Sequence, residues 1–179
     1  MDNMESEKTK LEGVLLFKPI VFEDHRGEYI EIFNKKIYSD LGVGIDFLQD
    51  DISVSSKNVL RGLHGDENTW KLISCLFGKF QLAVVNCNKD STDFGKSQTF
   101  VLSDKNRYQV LVPPKFANGH LVLSETAIFH YKQSTYYEGA GKQFTYRWDE
   151  PQFNIWWPIN NPILSPRDEL VPHIKNKRF

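Results

Sequence analysis

From about residue 11 the chain is a succession of short apolar or alternating runs. They are GVLLFKPIVF (13–22), EYIEIF (28–33), LISCLFGKFQLAVVNC (72–87), SQTFVL (97–102), YQVLVP (108–113), GHLVLS (119–124), AIFHYKQ (127–133) and FTYRW (144–148). Each is of strand length and rich in Val, Ile, Leu, Phe or Tyr, the residues that suit a pleated, partly buried surface. Turn formers separate them: DHRG, NKDSTDFGK, SDKNR and EGAGK. Regular spacing of this kind predicts an antiparallel sandwich or barrel rather than alternating strands and helices. Only two segments read as helical. KKIYSDLG follows Asn34, a suitable N-cap, and stops at Gly42; SPRDEL offers Ser165 as N-cap and Pro166 at the first helical position. The polar stretch MDNMESEKTK is expected to be a mobile tail (1–10), with a single all-β domain over 11–179.

Composition narrows the function classes. The chain has 179 residues, 40% of them hydrophobic and 13% aromatic, enough for a sizeable core. A formal net charge of −1 argues against a broad basic face for nucleic acid or an anionic membrane, so neither is an expected partner. No apolar run is long enough to cross a bilayer, and the first residues lack a signal-peptide core. Cys75 and Cys87 fall in or beside apolar runs and read as buried free thiols, which favours a cytoplasmic setting.

The segment NVLRGLHGDENTWKL (58–72) raises the chemical question, because His64 sits there near Arg61 and Lys71. A barrel metal site gathers two or three histidines and a carboxylate. No His-x-His pattern surrounds His64, and only His120 and His130 lie on later strands, so no metal is expected. Proton transfer is the alternative, since imidazole titrates near neutrality and the neighbouring cations could hold a developing oxyanion. Simple strand alternation would put Arg61 and Leu63 on one face, Gly62 and His64 on the other. By the same rule His130 points away from Tyr131.

The wider pattern adds a resemblance. In order, the chain carries VFEDHRGEYIEIFN, FLQDDIS, VLRGLH, WKL, STDFG, LVPPKFANGHLVLSE, FHYKQSTYY, RWDEP, IWWP and LSPRDEL, over roughly residues 13–170. This sequence resembles the dTDP-4-dehydrorhamnose 3,5-epimerase family, which epimerises nucleotide-linked 4-keto sugars. The resemblance implies a cupin-like jelly-roll β-barrel with a few short helices. It also implies a homodimer with exchanged N-terminal strands, and a nucleotide-sugar substrate handled without a cofactor. His64 falls on the family's general base, Tyr131 on its general acid, Asp168 on the carboxylate pairing the base and Lys71 near the sugar ketone. Arg26, Glu31, Gln49, Asp51, Arg61, Asn118 and Arg167 fall on positions that hold the substrate. Each residue also has a structural use: Tyr131 could fill the barrel, Asp168 favour a helix N-terminus, Arg26 sit in a turn and Lys71 at a strand edge.

The chain departs from the family in several places. Gly65 and Asp66 follow RGLH where a bulky residue and a glutamine are usual. FAHGF becomes Phe116-Ala117-Asn118-Gly119-His120, and Gln143 takes the place of a glutamate common before the late tryptophan, with a different loop length nearby. Asparagine can hydrogen-bond but cannot relay a proton at neutral pH. Lost bulk at Gly65 suggests room for a larger sugar. These changes look similar to a branch acting on GDP-linked 4-keto heptoses in capsule assembly. The other expectations are a dTDP-4-keto-6-deoxyglucose epimerase, a 4-keto-sugar ketoisomerase, and a sugar-binding barrel with a decayed site.

Overall fold

The computed structural model describes residues 4–174, nearly all of them in or between strands. A six-stranded antiparallel sheet has the order β1 (Glu5–Lys8), β2 (Leu15–Lys18), β10 (Gln109–Val112), β7 (Lys71–Phe77), β12 (Thr126–Gln133) and β5 (Gln49–Ser56). A five-stranded sheet has the order β13 (Phe144–Thr145), β6 (Leu60–Gly65), β11 (Phe116–Val122), β8 (Lys79–Asn86) and β9 (Ser97–Ser103). A separate hairpin pairs β3 (Val21–Asp24) with β4 (Gly27–Ile30). The all-β jelly-roll expectation is met. Both helices form where their caps predict, α1 over Lys35–Asp40 after Asn34 and α2 over Pro166–Leu170 after Ser165.

Burial explains why the central runs read as continuously apolar. Between the sheets lie Ile73, Val110, Val112 and Phe129 from one side, Phe80, Leu82, Val84 and Val122 from the other. The next residue on each strand is buried too. Leu72 and Leu111 pack outward against Tyr38 of α1, while Ala83, Val85, Ala117 and Leu121 pack against Phe153 and Trp157 of the C-terminal segment. A sheet covered on both faces needs apolar residues at every position. Of the late tryptophans, Trp157 is buried and donates its Nε1–H to the Trp148 carbonyl at 2.9 Å, while Trp156 is exposed.

Several boundaries differ from the sequence reading. The long run 72–87 is two strands, split at Gly78, whose φ is +75° and where an added Cβ would lie 2.1 Å from the Thr126 carbonyl oxygen. The run 13–22 splits at Pro19 into β2 and β3. Residues 5–8, assigned above to a mobile tail, pair with β2 as β1; their side chains are all exposed, so no apolar pattern announced them.

Candidate active site

Strands β5 and β6 lie at the edges of their sheets, with only the two-residue β13 beyond β6. Between the sheets a cavity of about 320 Å³ is lined by Tyr131 and Lys71 on one wall and by His64, Arg61 and Asn118 on the other, with α2 adding Arg167 and Asp168. A second cavity of about 520 Å³ abuts it, sharing Tyr137 and Gln143. Together they are in the size range of small-molecule sites.

A bulge makes this wall. Asn118 pairs with His64 and His120 with Arg61, so two residues of β6, Gly62 and Leu63, oppose the single Gly119. The extra residue cancels the alternation expected above, because it returns Arg61 and His64 to the same side. Leu60 and Leu63 turn outward into the cluster around Phe153 and Trp157. Only glycine fits the crossing: Gly62 has φ +119°, and a Cβ there would be 2.5 Å from Gly119 Cα.

His64 and Asp168 form a tight polar pair in the cavity, Nε2 to Oδ1 at 2.6 Å. The capped start of α2 presents Asp168, which is 2% exposed; its Oδ2 accepts from the Ser165 hydroxyl at 3.0 Å and the Gly62 N–H at 3.4 Å. Burial pushes this carboxyl up, but the His64 hydrogen bond and charge, Gly62 and Ser165 together hold it below the ordinary aspartate range. A carboxylate on Nε2 fixes that nitrogen's proton and leaves Nδ1 as the basic one. Lys71 is buried; desolvation chiefly lowers its ammonium pKa, with Arg167 adding to the effect and Asp66 opposing it. Its Nζ reaches Asn118 Oδ1 at 3.4 Å. Arg167 is held by Thr145 Oγ1 at 2.6 Å and Gln143 Oε1 at 3.3 Å, and Arg61 donates to Ser55 Oγ across the gap at 3.0 Å. Burial, then Asp51 and Tyr137, push the Tyr131 phenol up to about 12.

Of the residues singled out from sequence, His64, Tyr131, Asp168, Lys71, Arg61, Asn118 and Arg167 come together here. Gln49 and Asp51 sit beside the cavity rather than in its lining. Arg26 and Glu31 do not join it: Arg26 caps the β3–β4 hairpin turn, paired with Asp24 at 2.6 Å, and its side chain is 79% exposed. Gly65 does not open space either. The room its side chain would need is taken by the Phe116 carbonyl oxygen and the Phe144 ring, which would lie 2.3 and 2.6 Å from an added Cβ, so the packing of β13 accounts for the glycine. His130 faces away, hydrogen-bonded to Ser74 Oγ at 2.8 Å.

One lining residue without an expected role is His120. It is 4% exposed, stacks on Phe129 at 4.1 Å and lines the cavity, and its Nε2 has no hydrogen-bond partner among the described residues. Its spacing of two from Asn118 on β11 was the available signal. Among the described residues, no three His, Cys, Asp or Glu side chains are grouped to hold a metal ion.

A family model described as dTDP-4-dehydrorhamnose 3,5-epimerase matches residues 8–176. The enzyme of that name from Escherichia coli (strain K12) is 40% identical over 169 residues, covering 92% of this chain and 91% of its own. Among solved structures, dTDP-6-deoxy-D-glucose-3,5-epimerase from Legionella pneumophila in complex with dTDP-4-keto-L-rhamnose is 35% identical with a TM-score of 0.88, covering 93% and 90% of the two chains. A 3'-monoepimerase from Streptomyces bikiniensis in complex with dTDP-quinovose is 26% identical with a TM-score of 0.86, covering 92% and 85%.

Proposed function

Because the chain belongs to the dTDP-4-dehydrorhamnose 3,5-epimerase family, we propose that the cavity epimerises a nucleotide-linked 4-keto sugar by proton removal and return. The observation that carries this reading is the placement of His64 and Tyr131 on opposite sheets, facing one cavity. His64 Nδ1 takes the proton from a carbon beside the C4 ketone, and the C–H electron pair moves into the carbonyl. The resulting enolate oxygen is met by the Lys71 ammonium, with Asn118 beside it. Tyr131 then gives its hydroxyl proton to that carbon from the other face, and the carbonyl reforms with inverted configuration. A single well-placed donor to such an oxyanion is worth about 3–4 kcal/mol of barrier. Arg61 and Arg167 supply the positive charge for the diphosphate, and the adjoining cavity at Tyr137 and Gln143 offers space for the nucleoside. One inversion leaves an imidazolium at His64 and a phenolate at Tyr131, and solvent resets the pair by taking the proton from His64 and returning one to Tyr131.

The finer substrate reading is a GDP-linked 4-keto heptose in preference to a dTDP-linked 4-keto-6-deoxyhexose. Its support is the exchange at Asn118 and His120, since Gly65 no longer contributes. Turnover of both sugars followed by NMR decides it; equal or better use of the dTDP sugar overturns the preference. C3 and C5 both flank the ketone, so deuterium uptake at one or both separates single from double inversion. A ketoisomerase would instead move the carbonyl to C3.

Homodimer formation with exchanged N-terminal strands is part of the proposal. Its support is the apolar surface of the β3–β4 hairpin and of β5, where Phe22 (58%), Tyr29 (68%), Ile52 (60%) and Val54 (57%) are exposed. In such a dimer, the hairpin would carry Arg26 and Glu31 to a second copy. A cytoplasmic setting is supported by Cys75 and Cys87, which are buried and free.

The test is His64→Asn in heavy water. Solvent exchange at the carbons beside the ketone should fall at least 100-fold, with the fold and nucleotide binding retained. Exchange at the wild-type rate would remove His64 from the chemistry and with it this mechanism.

A further inference from the structure

We propose that Asp51 is the positioning residue of Tyr131, holding the phenol protonated and in place as Asp168 holds His64. This rests on the epimerase reading and reassigns a side chain expected to touch the substrate. On the paired strands Tyr131 lies directly opposite Asp51. Directly opposed residues on an antiparallel pair share one face, with Cβ atoms about 5 Å apart.

Asp51 does not line the cavity, and its carboxylate is already engaged. Oδ2 accepts from Gln49 Nε2 at 2.7 Å and from Gln133 Nε2 at 2.8 Å. These two amides lie one row away, and Gln49 is fixed in turn because its Oε1 accepts the Tyr137 N–H at 2.8 Å. A negative charge fixed beside a phenol disfavours the phenolate. The cations facing the cavity would do the reverse. Lys71 on β7, Arg61 on β6 and Arg167 on α2 are cations that favour ionised phenol. Of the two histidines, His120 is held neutral, and His64 is engaged by Asp168. Tyr137 is the remaining neighbour and reinforces Asp51 in keeping Tyr131 protonated.

Each proton-transferring side chain therefore has a carboxylate beside it, Asp168 in contact with His64 and Asp51 opposite Tyr131 on the paired strand. Asp168 stabilises the charged form of the base after it has taken a proton. Asp51 destabilises the charged form of the acid after it has given one, which drives Tyr131 to recover a proton before the next turnover.

The test compares wild type with Asp51→Asn, using protein labelled with ¹³C at the tyrosine Cζ and Tyr131→Phe to identify the signal. The wild-type Tyr131 resonance should titrate near 12, and in Asp51→Asn at least half a pH unit lower. The alkaline limb of sugar inversion, followed by NMR, should move in the same direction. Binding of dTDP and of GDP, measured by calorimetry, should stay within threefold. An unchanged Tyr131 titration overturns the proposal, as does a tenfold loss of nucleotide affinity with no change in titration. If the variant does not fold, the wild-type titration alone still decides: a Tyr131 midpoint near 10 overturns it. Absence of any exchange or inversion by wild type counts against the epimerase reading instead.

Discussion

His120 makes an experiment with a computable size. Its ring is sealed between Phe129 at 4.1 Å and Phe80 at 5.3 Å. Burial, and then repulsion by Arg61 and His64 against weaker attraction to Asp168, push its pKa down to about 3. In the unfolded chain an imidazole titrates near 6.5. Between these values the unfolded state takes up a proton that the native state refuses, so stability is lost as pH falls and nothing is lost above about pH 7. The slope is about 1.4 kcal/mol per pH unit, which over the one and a half units from 6.5 to 5 comes to about 2 kcal/mol. Phenylalanine keeps the stack on Phe129 and cannot take the proton. Urea midpoints for wild type and His120→Phe at pH 7.5 and pH 5.0, at one protein concentration, isolate this group because every other titration cancels in the double difference. The variant should lose about 2 kcal/mol less than wild type on acidification. It should also be no less stable at pH 7.5, since it removes an unpartnered buried nitrogen, an atom that typically costs about 1–3 kcal/mol. Equal acid losses in the two proteins would refute the claim that His120 is folded in its neutral form.

Three other outcomes follow from the site. Lys71→Met should lower kcat by about 10²–10³, the effect of losing one oxyanion donor, with little change in affinity for dTDP or GDP, whichever the wild type binds, by calorimetry. Asp168→Asn should cut exchange by about 10²–10⁴ while His64 is still present, as it no longer fixes the imidazole tautomer; activity near wild type would show that the 2.6 Å contact is incidental. Gly62→Ala should lower the unfolding free energy by more than about 2 kcal/mol, combining a backbone at φ +119° with the clash on Gly119. An unchanged denaturation midpoint would mean that the bulge relaxes freely.

Strand content was legible because the two sheets are covered on both faces, leaving unbroken apolar runs such as LISCLF and LAVV. The same logic hid β5. QDDISVSS turns Ser53 and Ser55 toward a polar gap and leaves Ile52 and Val54 in the open, so it carries no core-facing pattern. Residue identity at the site came through the family resemblance. The arrangement did not, because alternation by twos fails where Gly62 and Leu63 face the single Gly119. Gly65 misled for a related reason: from the sequence a missing side chain looks like free volume, whereas Phe144, far along the chain, occupies it.

Asp168 reaches His64 from 104 residues away, on a helix of five residues. That helix is fastened to the barrel edge by the bridge between Val59 and Ile163 and by the Leu60 N–H to the Ile163 carbonyl at 3.0 Å. The two sheets can therefore be complete while His64 lacks the carboxylate that orients it. Warming that frays this last segment should silence turnover while far-UV dichroism still reports intact strands, so thermal inactivation should precede thermal melting.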